Sequence, residues 1–297
     1  FLKNWTLPLA MFAGAIGYFL LANVTILEPA KPFVNWLIAV LTPFLIFAQL
    51  LLTFCKIEPK ELLPKAWHVW LLSIQAVSSG IIALLLIFCP MEEAYRDIFE
   101  GAMVCLICPT ATAAAVITGK LGGSASTLTT YTLLSNVLAA IAVPLVFPLV
   151  EPHADITFVV AFLKILSKVF PLLLAPFFIA LLFRYYIPSV HRLLSKYHGV
   201  AFYLWAVALT IVTGQTVRSL VTAAADVSIE IMIALAGLAT CCLQFYFGKR
   251  IGSAYHDRIS AGQALGQKNT VLAIWMAVTY LCLLYTSPSP RDTERSR

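Results

Sequence analysis

The chain has 297 residues, of which 61% are apolar and only 11% are charged, and its mean hydropathy is +0.90. This composition excludes a soluble globular domain and is typical of an integral membrane protein. The formal net charge of +6 does not indicate nucleic-acid binding, because the basic residues lie in short loops where they orient the chain.

Candidate membrane helices follow one another along almost the whole chain and predict an all-α integral membrane protein. We expect a single polytopic domain over 1–284. Residues 285–297 are polar and rich in Ser, Pro and Arg, which indicates a non-native or artefactual tail, and the start at Phe1 indicates a fragment. The nine predicted segments span about 6–26, 32–54, 67–89, 98–119, 124–149, 157–185, 199–221, 228–248 and 258–284.

Positive charge alternates between successive loops, and this pattern predicts the orientation of the chain. The poorly basic loops hold only Lys31, Arg96 and Arg218 as basic residues. They also hold the acidic residues Glu92, Glu93, Asp97, Glu151, Asp155 and Asp226. The richly basic loops and the N-terminus are expected on the cytoplasmic side of the membrane. The membrane is expected to be the plasma (inner) membrane. Their basic residues are Lys3, Lys56, Lys60, Lys65, Lys120, Arg184, Arg192, Lys196, Lys249, Arg250 and Arg258.

Two segments carry helix-breaking residues at similar depths. Segment four contains Cys108-Pro109, and proline removes a backbone hydrogen bond from a helix. Pro109 lies about 18 Å of helical rise from Asp97. Segment nine contains Gly266 beside a polar cluster. Segments four and nine are five apart in order, so they cross the membrane in opposite directions. The paired breaks therefore predict inverted repeats with a binding site where the two segments cross. For Pro109 taken alone, a simple kink is the alternative.

Lys268 lies about 15 Å from the edge of its apolar segment, near the middle of a hydrocarbon core about 30 Å thick. A cation at that depth is costly, which indicates a functional site. The alternative is a lysine that reaches the interface, but its side chain extends only about 6 Å. Neighbouring polar side chains indicate a cavity or a protein interface rather than lipid: Gln263, Gln267, Asn269 and Thr270.

The cysteines and histidines do not predict a metal centre or an enzyme. Cys105 and Cys108 form a C-x-x-C pattern, but buried thiols that act as small apolar residues are the better interpretation. A membrane-embedded enzyme needs a carboxylate pair, a histidine metal set or an activated nucleophile at mid-depth, and the sequence places none there. A transporter is the leading interpretation, a non-transporting sensor or scaffold on the same fold is the alternative, and an intramembrane enzyme is the least favoured.

Five short motifs follow one another along the chain: Leu41-Thr42-Pro43, Gln75, Cys108-Pro109, Gly266-x-x-Asn269-Thr270 and Leu272-Ala273. In this order they resemble the bile acid:sodium symporter family. The resemblance implies ten helices in two inverted five-helix repeats, a panel domain (helices 1, 2, 6, 7), a core domain (helices 3–5, 8–10) and broken helices 4 and 9 that cross. It also implies secondary transport of an organic anion, a bile acid or another carboxylate, by alternating access, usually with sodium.

The chain departs from the family pattern at the sodium sites. Ala114 and Ala115 stand where the family has Ser and Asn, Ala264 aligns with a glutamate, and Lys268 aligns with a glutamine. Sodium needs several oxygen ligands, so these changes argue against sodium coupling. Lys268 is predicted to replace one sodium ion or to carry a proton.

The predicted partners are a small organic anion and the lipid bilayer. No nucleic acid, cofactor or metal is expected, and sodium as a coupling ion is possible but not favoured. The oligomeric state is left open. The candidate binding residues all have polar side chains, and they are predicted to lie near the two breaks at Pro109 and Gly266. They are Gln75, Thr112, Thr130, Asn136, Gln263, Gln267, Lys268, Asn269 and Thr270.

Overall fold

The computed structural model describes residues 2–56, 60, 62–152, 156–196, 200–222 and 227–281, and these are helical without strands. The predicted tail at 285–297 and the end of the ninth segment lie outside the described residues. A 3-10 helix, Thr25–Ala30, precedes α2, and a π-helix, Ala277–Leu281, follows α12. The α-helices are α1 (Leu2–Asn23), α2 (Lys31–Phe54), α3 (Ala66–Phe88), α4 (Glu93–Ile107), α5 (Ala114–Lys120), α6 (Ala125–Val150), α7 (Phe158–Tyr186), α8 (Pro188–Lys196), α9 (Val200–Thr222), α10 (Val227–Ala254), α11 (Arg258–Gly266) and α12 (Thr270–Met276).

Six stretches of the described chain are long and apolar enough to cross a membrane: those of α2 with its preceding 3-10 helix, α3, α6, α7, α9 and α10. Shorter apolar helices lie at Pro8–Asn23 and Thr270–Tyr280. Many large apolar side chains on these helices are exposed, for example Phe12, Trp36 and Phe44, as expected of surfaces solvated by lipid. The predicted all-α membrane class is confirmed.

The short helix α8 was not predicted. Pro188 begins it, and Ile187 before the proline leaves the helical conformation, with φ −131° and ψ 64°. A residue that precedes proline is disfavoured in the α region, so α7 ends there and the chain turns into a new helix. Ser195 of α8 donates a hydrogen bond to the carbonyl of Cys55 at 2.8 Å, which ties α8 to the end of α2.

Helix contacts divide into two neighbourhoods. Helix α1 packs against α9, and α2 packs against α7 and α9, whereas α10 packs against α4 and α11, and α3 packs against α4 and α6. The two neighbourhoods meet directly where α6 packs against α7. Helices α1, α2, α7 and α9 correspond to the predicted panel; the division into panel and core remains a prediction. A buried apolar cluster joins the two neighbourhoods and includes Ile46, Met103, Val143, Val169 and Leu272.

The predicted interruptions of segments four and nine are confirmed. Helix α4 ends at Ile107, and Cys108 is extended, with φ −61° and ψ 137°, as expected of a residue that precedes proline. The chain resumes as α5 at Ala114. In the other segment α11 ends at Gly266, and α12 begins at Thr270.

Candidate functional site

The two helix breaks meet, and their backbones pair at a single bridge. Thr110 forms an antiparallel bridge with Lys268. The amide of Ala111 donates to the carbonyl of Gln267 at 2.9 Å, and the amide of Asn269 donates to the carbonyl of Pro109 at 2.9 Å. Non-helical backbone at membrane depth is tolerated where its polar groups are satisfied within the protein. The predicted crossing of the two broken helices is therefore confirmed.

Side chains of the first break and of α6 hold this crossing together. The thiol of Cys108 donates to the carbonyl of Asn269 at 3.1 Å, and the hydroxyl of Thr110 donates to the carbonyl of Ala264 at 2.7 Å. The amide of Thr110 donates to the hydroxyl of Ser135 on α6 at 3.2 Å. The sequence analysis missed Thr110 and Ser135; the position of Thr110 directly after the helix-breaking proline was a signal for it.

Gln75 on α3 is buried and stabilises the first break. Its Nε2 donates to the carbonyls of Ile107 at 3.0 Å and Cys108 at 3.2 Å, and its Oε1 accepts from the hydroxyl of Tyr131 at 3.2 Å. The last carbonyls of a helix need such partners. Gln75 thus acts as a cap for α4, and its role as a substrate or ion ligand remains a prediction.

Asn269, Thr270 and Thr130 occupy other structural positions. The Oδ1 of Asn269 accepts from the amide of Leu272 at 3.1 Å, so Asn269 caps α12. Thr270 is the first residue of α12 and is exposed. The hydroxyl of Thr130 donates to the carbonyl of Ser126 at 3.2 Å within α6. The structure brings Asn269 and Thr270 to the crossing, whereas the Thr130 hydroxyl bonds to its own helix.

Lys268 is the charged residue of the crossing. Its Nζ is buried and has no hydrogen-bond acceptor among the described residues. The Oε1 atoms of Gln263 and Gln267 are buried without a donor in the same part of the chain. Buried polar groups normally find partners, so these atoms mark a polar site that the described side chains leave incomplete.

Further buried amides with unpartnered atoms are those of Asn136, Gln49 and, through its Oε1, Gln244 of α10. Asn136 on α6 follows Ser135, and neither atom of its amide has a partner in the described structure. Gln49 on α2 is 3% exposed; its Oε1 accepts from the hydroxyl of Thr112 at 3.2 Å, while its Nε2 has no partner within the described residues. The sequence analysis missed Gln49, although a glutamine inside an apolar segment was a visible signal.

The described residues contain no group of three or more His, Cys, Asp or Glu side chains that could hold a metal ion. Ala114 and Ala264 are buried and bring no side-chain oxygen to the crossing. What the crossing supplies is a buried ammonium, several amide groups and the hydroxyls of Thr110 and Thr112. Such a set suits a ligand that carries negative charge and accepts hydrogen bonds.

Comparison with known proteins places this architecture in a family. No curated protein matches the chain. The family model described as "Sodium Bile acid symporter family" matches residues 16–223, which run from α1 through α9 and include the first break. The match covers well over half of the chain and agrees with the all-helical membrane fold and its interrupted helix. The chain therefore belongs to the sodium bile acid symporter family.

Proposed function

We propose that this protein is a secondary transporter that moves a small organic anion, bile-acid-like or another carboxylate, across the membrane by alternating access. Members of its family are transporters, which supports a transport function and not an enzymatic one. The observation that carries the choice of an anion is the buried, unpartnered Nζ of Lys268. A buried charge without a partner is strongly unfavourable, and the carboxylate of a ligand would supply the missing counter-charge.

We propose further that transport does not require sodium. A sodium site needs several oxygen ligands, and Ala114, Ala115 and Ala264 provide methyl groups at the aligned positions. The Gln75 amide is already engaged by Ile107, Cys108 and Tyr131. Lys268 in this proposal takes the place of one sodium ion as a fixed positive charge, and it can also serve as the proton carrier.

Uptake into proteoliposomes tests the proposed transport. The purified chain would be reconstituted and supplied with radiolabelled cholate and a set of smaller carboxylates that includes pantoate. We expect concentrative uptake of at least one of these anions, with empty liposomes as the control. Binding of an anion without any uptake would instead favour the non-transporting sensor or scaffold, and absence of both would contradict the anion proposal.

The proposed setting is the plasma (inner) membrane with a cytoplasmic N-terminus. The charge asymmetry of the loops supports this orientation. Protease protection of an N-terminal tag in sealed vesicles of known orientation measures it directly. A tag cleaved from the outer face of cells would contradict it.

A further inference from the structure

The short helix α8 is amphipathic. Its apolar and polar side chains lie on opposite sides of the helix, at a spacing of about 3.6 residues. The apolar side holds Val190, Leu193 and Leu194, and the polar side includes His191, Arg192 and Ser195. A helix with this pattern and with basic residues on its polar side is typical of helices that lie in the membrane interface.

The end of α7 places α8 at the membrane surface. Helix α7 is long and apolar enough to cross a membrane, and its last two residues, Tyr185 and Tyr186, are 67% and 82% exposed. Exposed tyrosines are enriched where a membrane meets water. Pro188 begins α8 directly after them. Helix α8 therefore lies at the level of the lipid head groups, on the side of the membrane proposed to be cytoplasmic.

One side of α8 is fixed to the protein, and the other side is exposed. The hydroxyl of Ser195 donates to the carbonyl of Cys55, and Leu194 packs against the large buried apolar cluster. Leu193 is 54% exposed. Arg192 is also exposed, and it has no ion pair among the described residues. A cation and an apolar side chain therefore lie side by side on the free surface of α8.

A small cavity lies where α2, α7 and α8 meet. Its apolar lining includes Phe54 of α2 together with Phe177 and Leu181 of α7. Its polar lining is formed by Arg184, at the end of α7, and by His191, which precedes Arg192 in α8. A guanidinium and an imidazole thus face, together with an apolar wall, a space that no side chain fills.

The chain around this cavity carries an excess of positive charge. Residues 156–225, which include α7, α8 and α9, contain no Asp or Glu. The loop from Cys55 to Lys65, which follows α2, has three lysines and two glutamates. Basic residues at a membrane surface attract anionic lipids. The charge of this region therefore favours an anionic ligand.

We propose that Arg184 and Arg192 bind the phosphate of an anionic phospholipid where α2, α7 and α8 meet. Guanidinium groups form charge-assisted hydrogen bonds with phosphate oxygens. The acyl chains of the lipid lie along the exposed apolar side chains of α7 next to the cavity, Phe178 and Leu182. A phospholipid has both of the parts that this surface binds, whereas a free phosphate ion has only one.

The bound lipid stabilises the protein in this proposal. It contacts the end of α7 and the start of α8 from outside, and Ser195 already joins α8 to the end of α2. A ligand that binds only the folded chain raises its unfolding temperature. The inference goes beyond the proposed transport and does not rest on it.

Thermal unfolding of the purified full chain in a neutral detergent tests the site. Dioleoyl phosphatidylglycerol, dioleoyl phosphatidylcholine and inorganic phosphate are added separately, and the rise in unfolding temperature gives an apparent dissociation constant for each. Phosphatidylglycerol should bind most tightly, because it combines acyl chains with a net negative charge. Arg192→Gln should weaken its binding about fivefold, and Arg184→Gln combined with Arg192→Gln about 25-fold.

The matched control is Lys164→Gln combined with Lys168→Gln. It removes two charges as well, from exposed lysines in the first half of α7, and it should bind phosphatidylglycerol as wild type does. An equal loss in this control would show a general attraction of charge and would overturn the inference.

Three other results would also overturn the inference: equal binding of phosphatidylcholine, equal stabilisation by inorganic phosphate, or wild-type affinity for phosphatidylglycerol in Arg192→Gln. If Arg184→Gln lowers the unfolding temperature in the absence of lipid, the single variant at the exposed Arg192 decides. Each of these outcomes leaves the proposed transport of an organic anion standing, because uptake into proteoliposomes tests that function separately.

Discussion

Lys268 determines the sign of the ligand in the proposed site. Lys268→Gln removes the charge but keeps a polar side chain. We expect anion binding to weaken by about 1.5–3 kcal/mol, the range for a hydrogen bond to a charged group. Sodium dependence should not appear, because Ala114, Ala115 and Ala264 still lack side-chain oxygens. Dissociation constants from thermal-shift titrations, taken in sodium and in choline buffers, measure both effects.

Two further variants separate the roles that Lys268 can have. Lys268→Arg keeps the positive charge but not a titratable proton, so it should retain anion binding and lose any proton coupling. Lys196→Gln, at an exposed lysine of α8, is the control for a general effect of charge. Wild-type affinity in Lys268→Gln, with an unchanged pH profile of uptake, would leave this lysine without the proposed role.

Gly266 ends α11 next to an aromatic ring, and its small size is the feature that matters. A Cβ at this position would lie 2.4 Å from Cγ of Phe245. We expect Gly266→Ala to lower the free energy of unfolding by about 1–3 kcal/mol, the usual cost of overpacking. Thermal unfolding in detergent measures it.

Gly80→Ala on α3 is the control for Gly266→Ala. A Cβ on Gly80 has no neighbour within 4 Å, and alanine favours a helix over glycine by about 1 kcal/mol. This variant should be as stable as wild type or slightly more stable. Recovery of stability when Gly266→Ala is combined with Phe245→Leu would identify the ring as the cause; equal stability of Gly266→Ala and wild type would contradict the packing argument.

At the scale of elements, Arg96 links the ends of α3, α4 and α6. Its Nε lies 2.9 Å from Glu151 and 3.0 Å from Glu100, and its Nη1 donates to the carbonyl of Leu86 at 3.2 Å. Another nitrogen, Nη2, donates to the carbonyl of Val150. One guanidinium therefore serves two carboxylates and two helix ends.

Arg96→Met should be strongly destabilising. The Glu100 side chain is 3% exposed, and Arg96→Met leaves this buried carboxyl group and two helix ends without the guanidinium, at a cost of about 3–5 kcal/mol. Denaturant or thermal unfolding measures this loss. Lys31→Met removes an exposed pair with Glu28 and should cost about 1 kcal/mol or less. The double variant Arg96→Met with Glu100→Gln should recover part of the lost free energy of unfolding. If Arg96→Met destabilises the protein no more than Lys31→Met does, the link at Arg96 is refuted.

A second link joins the start of α3 to the loop between α10 and α11. The Asp257 Oδ2 lies 2.8 Å from Nζ of Lys65 and accepts from the indole of Trp67 at 3.3 Å. Burial alone would raise the pKa of Asp257, but hydrogen bonds from Lys65, Ser260 and Trp67 outweigh it and lower the pKa below its usual value. The ionised form is therefore the one that the folded protein favours.

This link should make stability depend on pH in the acid range. Because the folded pKa of Asp257 is lower than the unfolded one, the stabilisation is present above the unfolded value, about 3.9, and is lost as the pH falls through the folded pKa. Asp257→Asn should flatten that part of a curve of unfolding temperature against pH from 6 to 2. An unchanged curve in Asp257→Asn would assign the acid sensitivity to other carboxylates.

At the scale of the whole molecule, the positions aligned with the sodium sites lack side-chain oxygens. Transport should therefore not depend on sodium. We expect initial rates of anion uptake into proteoliposomes to be equal in sodium and in choline. A steep dependence on sodium would mean that other oxygens, such as those of Thr132 on α6 and the backbone of the crossing, form a site. A matched assay with an imposed pH gradient tests the alternative coupling to protons.

The sequence by itself determined the membrane class and the two breaks near Pro109 and Gly266. These features depend on local chemistry: apolar length requires a membrane, and Pro109 disfavours the helical conformation at Cys108. Lys268 was conspicuous for a similar reason, since a cation within an apolar segment is costly wherever that segment packs.

Only the tertiary structure decided what the polar side chains do. Gln75 caps α4 and Asn269 caps α12, although the sequence offered both as ligands. Gly266 is small because Phe245 of α10 approaches it, and Gln49 reaches Thr112 from a helix far away in the chain. A side chain's partners depend on which helices meet and in what register, and that arrangement follows from the packing of the whole molecule rather than from any one segment.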